Sequence, residues 1–201
     1  MDNLPLTADL PLNAVEPASR AAWRVWLDAH HATAPHTWLV TRKKAAGGPA
    51  LTYAEAVEEA LCVGWVDSVP RKLDAERSML YFAPRKPGSG WSRVNKERVA
   101  RLEAAGLLLP AGRARVDAAR ADGSWTRLDD VENGIVPGDL ARALAVLPGA
   151  AEAWAEFPRS ATRGILEWIQ QAKRPETRAR RVAETVEKAA CGERANAWPR
   201  V

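Results

Sequence analysis

Every segment patterned like a β-strand lies before Pro87, and the rest of the chain is patterned like helix. "HTWLVTRKK" (36–44), "WVDSVPRKLD" (65–74) and "SMLYFAPRK" (78–86) are rich in β-branched and aromatic residues. Gly-Gly-Pro at 47–49 and the polar "DAER" at 74–77 supply the turns. So few strands make only a small sheet, which must bury a face against helices. The last two strands are adjacent in sequence and expected to pair. Between strands, "LTYAEAVEEALCVGW" (51–65) is the clearest helix. Thr52 and Glu55 have the T-x-x-E spacing of a capping box, and Gly64 supplies the stop. An earlier helix is expected to open at Pro17, with Trp23, Trp26, Leu27 and His30 along one stripe.

After Pro87-Gly88-Ser89-Gly90 the pattern is helical. Helices are expected from Ser92 to about Ala105, from near Pro110 to Asp122-Gly123, over 138–147 and 149–156, from Ser160 to Ala172, and from Pro175 to Gly192. "SWTRLDDVENGIV" (124–136) reads as irregular. In the last helix, Ala179, Val182, Ala183, Val186 and Ala190 form the expected buried stripe, with Arg178 near its edge and Arg181 toward solvent. The expected fold class is therefore α+β: a small antiparallel sheet backed by helices, followed by an all-helical C-terminal lobe. Residues 1–16 are expected to be irregular, 17–88 to hold the sheet, and 89–201 to be helical and packed on the sheet part as one compact unit.

At 201 residues and 47% apolar content the chain can bury an ample core. Nine tryptophans against two phenylalanines and two tyrosines place indoles at core edges or groove walls, where each N–H can find a partner. The two cysteines, Cys62 and Cys191, are far apart and outside any CxxC, as expected of reduced thiols. No basic segment followed by an apolar run opens the sequence, and no apolar run approaches the roughly 20 residues of a membrane span. The expected location is the cytoplasm. A net charge of +4 admits anionic partners without selecting one.

The sequence carries no GxSxG, P-loop, strand-linked GxGxxG or HExxH, so no catalytic residue is assigned. His30 and His31 lie about 100° apart on a helix and do not converge with His36 as a metal site requires, so no metal and no cofactor is expected. Two places carry candidate binding chemistry. In "GWVDS", Asp67 shares a strand face with Trp65 and must be paired or face a wet cleft, with Ser68 beside it. In "FAPRKPGSGWSRVNKER" (82–98), Arg85 and Lys86 stand between two prolines that hold them extended. A Gly-Ser-Gly turn then leads to Trp91, the Ser92 cap and a helix N-terminus, which favours anions.

The ordered segments "LTYAEAVEEALCVGWVDS", "LDAERSMLYFAPRKPGSGWSRVNKERVARLEAAGLLLPAG" and "AKRPETRARRV" resemble the YdeI/OmpD-associated, or bacteriocin-protection, bacterial family over residues 35–194. The correspondence runs through Gly64 to Ser68, Phe82 with Pro84 to Lys86, Trp91-Ser92 with Asn95, and Ala172-Lys173 with Glu176 to Arg178. Tyr81 stands where that family often carries arginine. The resemblance implies an association with stress or bacteriocin tolerance, and no reaction.

The leading expectation is a binding protein that holds an anionic small molecule between the sheet and the helical lobe. Trp65 and Trp91 would form its walls, with Phe82 in the same set. Arg85, Lys86 and Arg178 would neutralise charge, Ser92 and Asn95 would supply hydrogen bonds, and Asp67 with Ser68 would orient the ligand. Three other readings stay open. One is nucleic-acid binding through the arginines of 93–101 and 173–181; another is a small-molecule enzyme using Asp67 and Ser68; the third is a role with a protein partner.

Overall fold

The structure, a computed structural model, describes Leu10 and residues 12–196. These gather into two compact units that divide between Trp125 and Thr126. Most of the segment expected to be irregular lies outside the described residues, but Ala14–Val15 forms a short strand, β1. In the first unit it is followed by α1 (Arg20–His30), β2 (Thr37–Arg42), α2 (Tyr53–Cys62), β3 (Trp65–Lys72), β4 (Arg77–Pro84), α3 (Arg93–Ala104) and α4 (Pro110–Ala121). The α+β class holds, and the sheet has the order β1-β2-β4-β3. Its three long strands are antiparallel, whereas β1 runs parallel to β2, so the sheet is mixed rather than purely antiparallel. A two-residue edge strand needs only a pair of ladder bonds and leaves no alternating pattern to read.

Local chemistry fixes most boundaries. Ser19 caps α1 by accepting the Ala22 N–H at 3.1 Å, so the helix starts three residues after Pro17. The Thr52–Glu55 capping box is formed in full at α2. Pro110 and Pro175 sit in the first turn of their helices, where a missing N–H costs nothing. Between β3 and β4, Asp74 accepts the N–H groups of Glu76 and Arg77 and pairs with the Arg77 side chain at 2.8 Å. That pairing holds the Asp74 carboxyl below the usual range.

The first core lies between one sheet face and the helices. Leu39 and Leu80 face each other across β2 and β4, and Phe82 meets Trp23 edge-on at 5.5 Å between centroids. Trp23, Leu27, Trp65, Trp91 and Val99 are all sealed, and each such side chain contributes roughly 1.5–3 kcal/mol. The indoles find partners as expected: Trp23 donates to Ala56 O and Trp65 to His31 O, both at 3.1 Å. Glu59 of α2 is 5% exposed and receives both Arg20 and Arg24 of α1. α4 approaches α2 closely at Gly112, where a Cβ would lie 2.4 Å from Cys62 O.

The second unit holds α5 (Asp129–Asn133), α6 (Gly138–Val146), α7 (Ala150–Glu156), α8 (Arg159–Gln170) and α9 (Pro175–Ala190) around its own core. α5 falls inside the stretch expected to be irregular; Gly134, at φ 72°, ends it after five residues. In α9 the buried positions are Val182, Thr185, Val186 and Ala189. Ala179, Ala183 and Ala190 are exposed, so the stripe is rotated from the expected one. Arg181 is consequently half-buried, donating to Trp168 O with its guanidinium 4.9 Å from the Trp168 ring centroid.

Candidate functional site

β4 leaves the sheet at Pro84, and the next residue is tied back to the end of α2: the Arg85 N–H donates to Gly64 O at 2.9 Å. Gly64 adopts φ 78°, which glycine reaches without strain, and a Cβ there would press on Arg115 Cγ at 2.6 Å. Held by this bond, the Arg85 side chain turns inward and is only 6% exposed. Its guanidinium carbon lies 3.8 Å from the centroid of the Trp91 ring, and Nη2 donates to Gly90 O. The Pro-Gly-Ser-Gly turn thus folds back so that the residues on its two sides stack. Trp91 leans on Trp125 at 5.0 Å, and Arg120 lies over the Trp125 ring at 4.9 Å.

Arg85 Nε and Nη1 are buried and have no hydrogen-bond partner among the described residues. Burial pushes this guanidinium down to about 10, and the negative charge of Asp67 works against the shift. The group stays charged at neutral pH, and the displacement corresponds to a burial cost on the order of 3 kcal/mol. A second buried polar atom without such a partner, Ser124 Oγ, belongs to the same neighbourhood. Arg85 and Ser124 line a cavity of about 30 Å³ together with Lys86, Trp91, Arg115 and Asp122. That is room for an occupant about the size of a water molecule. Three cationic side chains to one carboxylate make its wall positive.

Asp67 and Ser68 line a different and larger cleft, of about 460 Å³, between the start of α2 and the sheet. Tyr53 donates its hydroxyl to Asp67 Oδ2 at 2.9 Å. Burial, reinforced by Asp67, raises the Tyr53 pKa and keeps that hydroxyl protonated. The Arg98 guanidinium lies 5.7 Å from the Tyr53 ring centroid.

Of the residues singled out in the sequence, the structure brings together Arg85, Lys86 and Trp91. Lys86 is exposed, and Ser89 donates its hydroxyl to the Lys86 carbonyl. Trp65 and Phe82 are core residues, at 1% and 0% exposure, and wall no cleft. Ser92 spends its hydroxyl capping α3, accepting the Asn95 N–H at 3.4 Å. Asn95 in turn accepts from Arg98 at 2.9 Å. Arg178 lies in the second unit, bound to both oxygens of Asp139 at 2.6 and 3.0 Å. Of the arginines considered for nucleic acid, Arg101 pairs with Glu58 and Arg181 is spent on Trp168. Arg115, Ser124 and Trp125 complete the small cavity and its aromatic support, and sequence reasoning does not single them out. They lie 30 to 40 residues after Arg85, and nothing in their local pattern links them to it.

Among the described residues no three His, Cys, Asp or Glu side chains group as a metal site. No helix among them is long and apolar enough to cross a membrane.

Two family models match the chain. One, described as a domain of unknown function (DUF8412), matches residues 15–115, just over half of the 201 residues. The other, described as "Bacteriocin-protection, YdeI or OmpD-Associated", matches residues 133–192. No curated protein and no solved structure matches. The YdeI/OmpD resemblance is therefore supported over the second unit, including the "AKRPETRARRV" segment, while "GWVDS", "FAPRK" and "WSRVN" fall in the stretch matched by the first model. The chain belongs to the DUF8412 family through residues 15–115, and its residues 133–192 are similar to the family described as bacteriocin-protection, YdeI or OmpD-associated.

Proposed function

We propose that this protein is a binding protein, not an enzyme, whose first unit holds a small anion against Arg85. The supporting observation is a set of buried polar atoms without a hydrogen-bond partner among the described residues, Arg85 Nε and Nη1 and Ser124 Oγ, on residues that line one cavity. A buried charge with only one of its three nitrogens hydrogen-bonded is costly, and a bound anion would offset that cost by accepting from Nε, Nη1 and Oγ. Trp91 would hold the guanidinium plane by cation–π contact, and Lys86 and Arg115 would add attraction at the rim. The cavity fits one small monovalent anion, chloride or a single carboxylate group, and not a nucleotide.

A cytoplasmic role in stress or bacteriocin tolerance is the wider reading. Its support is the description of the family matched by residues 133–192 and the two unpaired cysteines, which suit a reducing compartment. Nucleic-acid binding has less support, because Arg101, Arg178 and Arg181 are engaged within the protein.

The test is thermal unfolding in a weakly interacting buffer with chloride, formate, acetate, phosphate and sulfate added in turn. Chloride and the carboxylates should raise the midpoint of the wild type and leave Arg85→Met unmoved. Equal shifts in both proteins, or none across the panel, would remove the proposal.

A further inference from the structure

The cleft between α2 and the sheet has a composition that suits a second ligand, chemically opposite to the first. We infer that it binds a small molecule with an apolar body and a cationic amine head, the head seated on Asp67. This does not rest on the anion at Arg85.

The cavity, about 460 Å³, is in the range of small-molecule sites. Its floor is the first core itself: Leu39, Leu51 and Ala56 are nearly sealed and present carbon to the cleft, joined by Leu80. Around that floor stand the hydroxyls of Thr41, Thr52, Ser68 and Ser78. Among the residues lining it, Asp67 alone carries a charge.

The carboxylate is oriented. Tyr53, from the first turn of α2, clamps Oδ2, which fixes the plane of the group. Oδ1 accepts no hydrogen bond from the described residues. Arg85 feels the charge of Asp67, yet neither nearby cation hydrogen-bonds to it: Arg85 is stacked on Trp91, and Arg98 lies over the Tyr53 ring and donates to Asn95. The backbone opens at the same point. The β3–β4 register shifts between Asp67 and Pro70, and Pro70 has no N–H to give the ladder. Such irregularities re-aim side chains beside functional sites. An ammonium group can donate to Oδ1 and to a neighbouring hydroxyl while its carbon skeleton covers Leu39 and Leu51. A carboxylate ligand would meet repulsion from Asp67 in a cleft with no cation on its lining.

The experiment is isothermal titration calorimetry of the full chain with 2-phenylethylamine, 2-phenylethanol and 3-phenylpropionate. The amine should bind, the alcohol about tenfold or more weakly, and the acid not at all, because a charge-assisted hydrogen bond separates them. Asp67→Asn should lower amine affinity at least about tenfold and leave the alcohol unchanged. Ser68→Phe, an exposed position on the cleft wall, should block both while the far-ultraviolet spectrum stays that of the wild type. Absence of amine binding at millimolar concentration, equal affinity for amine and alcohol, or amine affinity unaltered by both substitutions would each overturn the inference.

Discussion

Arg85 shows how one residue can be placed at a cost. Its neighbours hold it inward: the backbone is fixed by Gly64 O, the guanidinium rests on Trp91, and one nitrogen reaches Gly90 O. The other two nitrogens have nothing to bond among the described residues. A buried cation in that state is a burden on the empty protein, so Arg85→Met, apolar and of similar length, should raise stability by about 1–2 kcal/mol in anion-free urea unfolding. Loss of more than about 2 kcal/mol would mean the charge is fully compensated. Gly112 is the opposite case, a residue chosen for what it lacks. A Cβ would meet Cys62 O at 2.4 Å and Leu61 O at 2.7 Å, both backbone atoms that cannot rotate away. Gly112→Ala should cost about 1–3 kcal/mol in the same assay although alanine is the better helix former. The proline-flanked cation pair is legible in the sequence as a candidate site, as is the tryptophan after the turn. The burial of Arg85 and exposure of Lys86 are not, because they depend on the Gly64 contact across the chain.

Elements are most legible where a short motif satisfies its own backbone. Thr52 with Glu55, Ser92, Pro110 and Pro175 each fix a helix start through atoms within three residues of one another. β1 and α5 are not legible, because they are two and five residues long and are stabilised by what they pack against. In α9 the pattern picks out the right valines but the wrong rotation. Alanines fit a stripe without specifying it, and Arg181 is drawn in by Trp168 of α8. The join between α1 and α2 carries a prediction at this scale. Glu59 is nearly sealed and accepts from two arginines that are themselves partly exposed. Glu59→Ala leaves Arg24 without its carboxylate while Arg20 keeps Glu58, and should cost about 1–3 kcal/mol by urea unfolding. A change under about 1 kcal/mol would show that the pair is effectively solvated.

For the molecule as a whole, the sequence shows a sheet half and a helical remainder, and the fold class comes from that division. The Pro/Gly turn at 87–90 marks the change from strand to helix. The compact units, however, divide at 125/126, because α3 and α4 pack onto α2. Packing partners, not local composition, decide such a division. The second unit has its own electrostatic signature. Hydrogen bonds from Arg178 hold the Asp139 carboxyl below its usual value. A carboxyl depressed in the folded state contributes its stability above its unfolded pKa, about 3.9, and loses it as pH falls through the lower folded value. Both groups are about one-third exposed, so the contribution is about 0.5–1 kcal/mol. Arg178→Ala should therefore be less stable than wild type by about that amount at pH 7, with the gap closing as pH falls below the unfolded value of about 3.9 and through the lower folded one. A gap that persists into strong acid would assign it to packing instead.

If a small anion completes the Arg85 cavity, crystals soaked in bromide will reveal it. Anomalous scattering should place a bromide within about 3.5 Å of Arg85 Nη1 and Ser124 Oγ in the wild type, and the peak should vanish in Arg85→Met. A clean anomalous map at that position, with an ordered water bridging the two groups, would mean that Arg85 holds no anion there.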